Sequence, residues 1–297
     1  MSLATHSFSW DGISFNVPEN WNIAIYKFPK RLTRVEFEDD YTTRIEAEWT
    51  RPLRTLDMDR IQERFNASSR KLTRDADRTK RIEDLPPGWA ATLYQLPEKH
   101  KLVTAMYLGP ASELFCFFFI HFEPKDPEDP IEVVSAITNS LKIQTGSLKR
   151  WTLYDISLEI PSDFQLLSTR FETGLKLFVF RWKRRKFCIW FINLADLVLK
   201  KQSLGEWMAR LFNSSRLFRS LVFRIDGDNR IFSTRRKRHR LGHIDEIVRW
   251  CFKYQFDCIQ DKENNQLIPW IFSYRNESDL EQLKNITANG IGLTDNG

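Results

Sequence analysis

A chain of 297 residues, 42% apolar and 13% aromatic, carries enough hydrophobic surface for about two ordinary cores, which excludes a disordered polymer. The formal net charge of +6, with a pI near 9.1, permits an acidic partner without demanding one. The longest apolar run, residues 114–120, falls far short of the roughly 20 residues that a membrane helix needs.

Four cysteines, Cys116, Cys188, Cys251 and Cys258, sit inside apolar or aromatic runs, where a free thiol behaves as a small hydrophobe. No basic start joined to an apolar stretch and a cleavage site opens the sequence, so an intracellular, cytoplasmic location is expected.

The stretch Ile13-Ser-Phe-Asn-Val-Pro-Glu-Asn-Trp21 alternates apolar and polar residues and stops at a proline that cannot donate to a sheet ladder. It predicts a first strand and its turn. Arg34-Val-Glu-Phe-Glu-Asp39 and Arg44-Ile-Glu-Ala-Glu-Trp49 alternate likewise about a turn-forming Asp39-Asp-Tyr-Thr-Thr43, which predicts a hairpin. Helical spacing takes over at Met58, Ile61, Phe65 and Leu72, with Thr55 or Asp57 as cap. Strands are then predicted over 88–95, 101–108 and 114–122, the last apolar on both faces as a central strand is. Asp129 as cap, Pro130 in the first turn and the stripe Ile131, Val134, Ile137 and Leu141 predict a closing helix.

After a linker-like 144–150 the pattern restarts with Ile156-Ser-Leu-Glu-Ile-Pro-Ser-Asp-Phe164. A second hairpin is expected over 175–182 and 186–192, apolar on both faces, and a helix from Ser203, whose spacing to Glu206 is that of a capping box. Phe212-Asn-Ser-Ser-Arg216 echoes Phe65-Asn-Ala-Ser-Ser-Arg70 with one residue deleted. Strands are expected over 244–252, 255–260 and 267–274, and a last helix with Ser278 and Glu281 as its capping pair and Leu280, Leu283 and Ile286 buried. The insertion 219–242 holds a predicted hairpin, 222–232, turning at Asp226-Gly-Asp-Asn229. The expected fold is α+β: two tandem β-β-β-α-β-β-β-α repeats, each an antiparallel sheet flanked by helices, over 1–143 and 151–287. Residues 288–297 are expected to fray.

A strand ending in a Val-Pro-x-x-Trp type turn, as in Asn16-Val-Pro-Glu-Asn-Trp21, followed by hairpin, helix, three strands and helix, resembles the Mog1/PsbP-like fold, which includes bacterial DcrB-like domains. The resemblance is architectural and spans both repeats, although the second copy has Phe164 in place of the tryptophan. It implies an antiparallel sheet flanked by helices and a role in binding other proteins. For a tandem copy it implies a monomeric pseudo-dimer about a pseudo-two-fold axis.

Candidate sites are few. Glu36, Glu38, Glu46 and Glu48 alternate with apolar residues, which puts them on a solvated hairpin face beside Arg34 and Arg44 and not in an acid/base pair. His6, His100, His121, His239 and His243 are scattered, and Cys251 and Cys258 are too far apart for a zinc knuckle, so no metal or cofactor is expected. His121 is expected to meet a backbone partner; His243, after Gly242, is the histidine to watch. Asn-x-Ser triplets at Asn66, Asn213 and Asn276 are taken as helix-surface residues.

Two basic runs are the strongest binding candidates: Arg181, Lys183, Arg184, Arg185 and Lys186 at a hairpin turn, and Arg235, Arg236, Lys237, Arg238 and Arg240 in the insertion. Over 224–242, seven basic side chains against two aspartates leave +5. Such a loop reads first as a solvated, mobile surface loop; as a binding element it suits phosphates, whether of nucleic acid or lipid, or an acidic protein face. The expected function is binding of a macromolecule, first of all a protein, as an adaptor or chaperone-like chain. Nucleic-acid binding through 235–240 is the alternative, and an enzyme with a site between the repeats is the third.

Overall fold

The computed structural model describes residues 3–27, 32–51, 55–110, 114–218, 220–226, 231–235, 246–248, 250–251 and 253–293. It divides into two compact units, Met1–Gln144 with Thr152–Tyr154, and Thr145–Trp151 with Asp155–Gly297. Antiparallel sheets dominate and helices are few.

In the first unit β1 (Thr5–Trp10) and β2 (Ile13–Pro18) are joined by Asp11 and Gly12, with φ of 47° and 79°. Two consecutive positive φ values give a hairpin turn whose twist matches its strands, and Asp-Gly supplies them at little cost. β1 lies upstream of Ile13, where the sequence pattern starts the unit; the Asp-Gly pair is the signal that reveals it. There follow β3 (Asn22–Lys27), β4 (Leu32–Glu38), β5 (Thr43–Thr50), α1 (Thr55–Leu72), β6 (Arg78–Ile82), β7 (Trp89–Gln95), β8 (Lys101–Leu108), β9 (Phe115–Phe122), α2 (Pro130–Ser140) and β10 (Lys142–Ile143). Of these, β3, β6 and β10 are additions to the expected set. β10 pairs with β2, and the remaining strands form one sheet in the order β3-β4-β5-β9-β8-β7-β6.

β9 sits between β5 and β8 and is covered twice. Phe118 turns toward β1 and β2, its ring 5.4 Å from Phe15, while Phe8 meets Phe37 at 4.9 Å. α2 lies over β2 and buries Val133, Val134 and Ile137. Asp129 caps it, accepting from Ile131 N and Glu132 N. Phe117 and Phe119 turn the other way, toward α1, whose Phe65 lies 5.3 and 5.6 Å from them.

The second unit runs β11 (Leu148–Leu153), β12 (Ile156–Pro161), β13 (Gln165–Glu172), β14 (Leu175–Trp182), β15 (Arg185–Asn193), α3 (Ala195–Leu199), α4 (Leu204–Ser214), β16 (Leu221–Ile225), β17 (Ile231–Arg235), β18 (Lys253–Asp261) and β19 (Gln266–Tyr274). It closes with a 3-10 stretch, Glu277–Asn285, then β20 (Thr287–Ala288) and β21 (Ile291–Gly292). Its sheets are β13-β14-β15-β19-β18, β11-β12-β20-β21 and β16-β17.

The doubly apolar hairpin finds both covers inside its own unit. Leu177, Val179, Cys188, Trp190 and Ile192 pack against Met208, Ala209 and Phe212 of α4 and Phe223 of β16. On the opposite face Phe180 lies 5.5 Å from Trp151, and Phe187 lies 6.2 Å from Phe164. Ser203 and Glu206 make the expected reciprocal cap of α4.

Three local expectations need correction. Residues 246–248 form a helical turn, not part of a strand over 244–252: Trp250 N donates to Ile247 O and Cys251 N to Glu246 O, and positions 244, 245, 249 and 252 lie outside the described residues. The last helix is 3-10 and starts two residues earlier than Ser278 and Glu281 suggest, at Glu277: the Asp279 carboxylate accepts from Arg275 N and Asn276 N. Residues 287–293 do not fray. β20 pairs with β12, Asn289 and Gly290 take φ of 51° and 80° in a tight turn, and Ala288 and Leu293 are buried. The Asn289 side chain fixes this segment, accepting from Ser157 N at 2.9 Å and donating to Asp261 at 2.9 Å. The rest of the expected tail, 294–297, and the insertion turn, 227–230, lie outside the described residues.

Phe118 is fully buried between Phe15 and Trp89, whose ring is 5.6 Å away. Phe118→Ala is therefore expected to cost about 3–5 kcal/mol, read as a lowered urea midpoint. A loss within experimental error would show that this face of β9 does not hold the unit together.

Candidate functional site

Of the four hairpin carboxylates only Glu38 is exposed as expected; Glu36, Glu46 and Glu48 are partly or fully enclosed and pair with Arg34. Arg34 reaches three of them, Nε to Glu36 Oε1 at 2.9 Å, Nη2 to Glu46 Oε2 at 2.6 Å and Nη1 to Glu48 Oε1 at 2.9 Å. Arg64, on α1, adds a bond to Glu48 Oε2 at 2.5 Å, and the Glu48 side chain is only 4% exposed. Alternation placed these residues on the face away from Val35 and Ala47; it carried no information that α1 lies over that face. Arg44 belongs to another cluster, with Asp39 and Asp126. His121 meets a side chain and not the expected backbone group: its Nε2 lies 3.1 Å from Glu46 Oε1. That hydrogen bond holds the Glu46 carboxyl below its ordinary range against its burial, whereas burial pushes the Glu48 carboxyl up. Both carboxylates are committed to guanidinium groups, so the network ties α1 to β4 and β5. Beside it lies a cleft of about 410 Å³ lined by Glu36, Thr42, Thr43, Glu46, His100, His121 and Glu123. Among the described residues no group of three metal-ligating side chains forms.

Burial explains the cysteines, and a side-chain bridge explains one of the triplets, whose Asn213 lies on the helix surface as expected. Cys116, Cys188, Cys251 and Cys258 are free and buried, and desolvation raises the Cys116 and Cys258 thiols. The Asn213 amide brackets Phe223, accepting from its N–H and donating to its carbonyl, each at 2.9 Å, so it fastens α4 to β16.

Of the second basic run, Arg235 ends β17 and lies 3.7 Å from the buried Glu246, which also accepts from Ser220 and Tyr254. Arg236, Lys237, Arg238, Arg240, His239 and His243 lie outside the described residues.

The first run sits at the turn between β14 and β15. Arg185 is drawn into the structure, forking onto Asp279 with two bonds of 2.9 Å. Lys186 lies opposite Arg181 across the hairpin and its N–H donates to Ser273 Oγ. Arg181, Lys183 and Arg184 are exposed, and Arg181 donates to the neutral Gln165. Trp182 is core, stacked 6.0 Å from Phe164, with Lys183 Nζ 4.7 Å from its ring.

A groove invisible in the sequence opens elsewhere on this unit, between β13, β14 and the carboxyl end of α4. It measures about 830 Å³. Leu175, Leu177, Val179, Trp190, Leu211 and Leu217 line it as apolar residues, and Ser168, Arg170, Glu172, Ser214 and Arg216 supply polar groups. Arg170 pairs with Glu172 at 2.6 Å.

Asp279 has a pH consequence. Burial alone would raise its carboxyl, but the Arg275 and Asn276 amides and the Arg185 guanidinium outweigh this and hold it below the ordinary 3.8. A depressed folded value contributes stability above the unfolded one and loses it as pH falls through the folded value. The thermal midpoint is expected to drop steeply below about pH 4, and Asp279→Asn to lower it at neutral pH while shrinking that acid drop. An acid drop unchanged by the substitution would exclude Asp279 as a contributor.

No family model matches the chain, and no curated protein matches it. Among solved structures it is similar to MucB, at 8% identity and a TM-score of 0.20 over 95% of this chain and 90% of that one. MucB in complex with MucA(peri) gives 8% and 0.19 over 93% and 88%. Scores this low transfer neither fold nor function, and the chain is described by its own geometry.

Proposed function

We propose that the chain acts by binding, taking an apolar segment of a partner protein into the groove of the second unit. One observation carries this: apolar side chains of β14, β15 and α4 floor a concavity of about 830 Å³, and polar side chains of β13 and of the carboxyl end of α4 stand beside them in comparable number. Binding concavities run to about 300–1,000 Å³, so the volume is that of a site able to take a short segment. An apolar side chain entering there gains about 25 cal/mol for each Å² removed from water. Arg216, at the carboxyl end of α4, supplies a cation for a partner carboxylate or carbonyl.

We also infer that the two units are copies of one Mog1/PsbP-like module. The orders β3-β4-β5-β9-β8 and β13-β14-β15-β19-β18 coincide element by element. Trp21 N donates to Pro18 O and Phe164 N to Pro161 O, both at 3.0 Å. Phe65 and Phe212, the echoed positions, both pack a helix onto a sheet. β10 and β20 return to β2 and β12 in the same way, Ile13 facing Ile143 and Leu158 facing Ala288.

Selection of displayed peptides of about twelve residues on the full chain is expected to enrich large apolar residues. Leu211→Glu with Leu217→Glu is expected to weaken an enriched peptide at least about tenfold with an unchanged circular dichroism spectrum. No enrichment, or peptides indifferent to both substitutions, would rule the groove out.

A further inference from the structure

The turn between β14 and β15 is one part of a larger surface assembled from three places in the sequence. Cys251 Sγ lies 3.7 Å from Arg184 O, which sets Cys251, the residue after Trp250, beside the turn. The Arg275 guanidinium lies 5.1 Å from the Trp250 ring. Asp279 links the two sides, holding Arg185 through its side chain and Arg275 through its backbone amide. At this end of the unit Ile247, Val248 and Trp250 are 58%, 65% and 53% exposed.

Its charge is unbalanced. Asp279 is occupied by Arg185 and Glu277 by Lys253, at 2.9 and 2.5 Å. Arg181, Lys183, Arg184 and Arg275 have no carboxylate partner among the described residues. Two bulky side chains here are also held in the left-handed backbone region, Lys183 and Trp250 both at φ 52°. That conformation is costly for a residue with a side chain and persists where the surroundings enforce it.

We propose that this surface docks an acidic segment of a partner protein, one that sets a large apolar side chain among carboxylates. The four cations draw the carboxylates, and Trp250 with Ile247 and Val248 receives the apolar anchor. These two aliphatic side chains decide between a protein and a nucleic acid: a phosphate backbone offers them nothing, whereas a Leu or Phe anchor buries them. The inference shares the view of the chain as a protein binder, but the surface has no residue in common with the groove, so each can fail alone.

The test uses the full chain and a fluorescein-labelled peptide of about twelve residues, Glu and Asp with two Leu and one Phe, followed by anisotropy at about 50 mM salt. Binding is expected, weakened by added salt, and lost when Lys replaces the acidic residues or Ser the apolar ones. Lys183→Glu with Arg184→Glu is expected to cost at least tenfold, and Ile247→Ser with Val248→Ser a similar factor. Arg275→Glu provides an independent variant should either pair disturb the circular dichroism spectrum. Leu211→Glu with Leu217→Glu, which sets charge in the groove, should leave this peptide's affinity unchanged. Absence of binding at low salt, or affinity indifferent to all three tip variants, overturns the proposal. So does tighter binding of a single-stranded or duplex oligonucleotide that the same variants abolish, which would give the surface to nucleic acid.

Discussion

A strand with no polar face has to be buried twice, and that requirement shapes both units. In β9 the rings of Phe115, Phe117 and Phe119 cannot be hidden by whatever hides Cys116, Phe118 and Ile120, because successive side chains leave a strand on opposite sides. The same holds in β15 for Phe187, Ile189 and Phe191 against Cys188, Trp190 and Ile192. Each large sheet therefore lies between a helix on one side and a small sheet on the other. The small sheets β1-β2-β10 and β11-β12-β20-β21 are lids over aromatic rings, and their short returning strands exist to close them.

Two covers also decide where charge goes. Where α1 crosses the outer part of its sheet, Glu36, Glu46 and Glu48 are too enclosed to rely on water, so Arg34 and Arg64 are brought to them. Removing one partner from such a set leaves a charge stranded, which costs more than the pairing contributes. Asp279 plays a comparable part in the second unit: two backbone amides and a forked guanidinium converge on one carboxylate that is 7% exposed. Its consequence is positional, since it fixes Arg185 inward and leaves Lys183 and Arg184 to project.

Much of the fold is legible residue by residue. The doubly apolar β9, the Asp129 cap with its proline and the Ser203 and Glu206 pair each state their role locally. What escapes notice is of two kinds. Some signals are present and short, as with Asp11-Gly12 and Asn289-Gly290, whose turns imply β1 and the pair β20 and β21. Others do not exist at the level of pattern, because alternation says which side a glutamate occupies and not whether a helix will cover it. The sites follow the same division. Lys183 and Arg184 stand out as part of a basic run, while Trp250, Ile247 and Arg275 join them only once β18 and β19 bring distant segments together. The groove has no sequence mark at all, being the space left where α4 and β13 diverge.

The strand that finishes each small sheet arrives late. Ile13 faces Ile143 and Leu158 faces Ala288, so in either unit the two partners are separated by about 130 residues of intervening chain. Contacts so remote are slow to form, since the loop must close before anything rewards its closure. On the ribosome, β12 and the aromatic rings beneath it would wait for nearly the whole second unit to be translated before β20 could seal them. Through that interval the nascent polypeptide presents bare phenylalanines, a condition in which holding chaperones gain their grip.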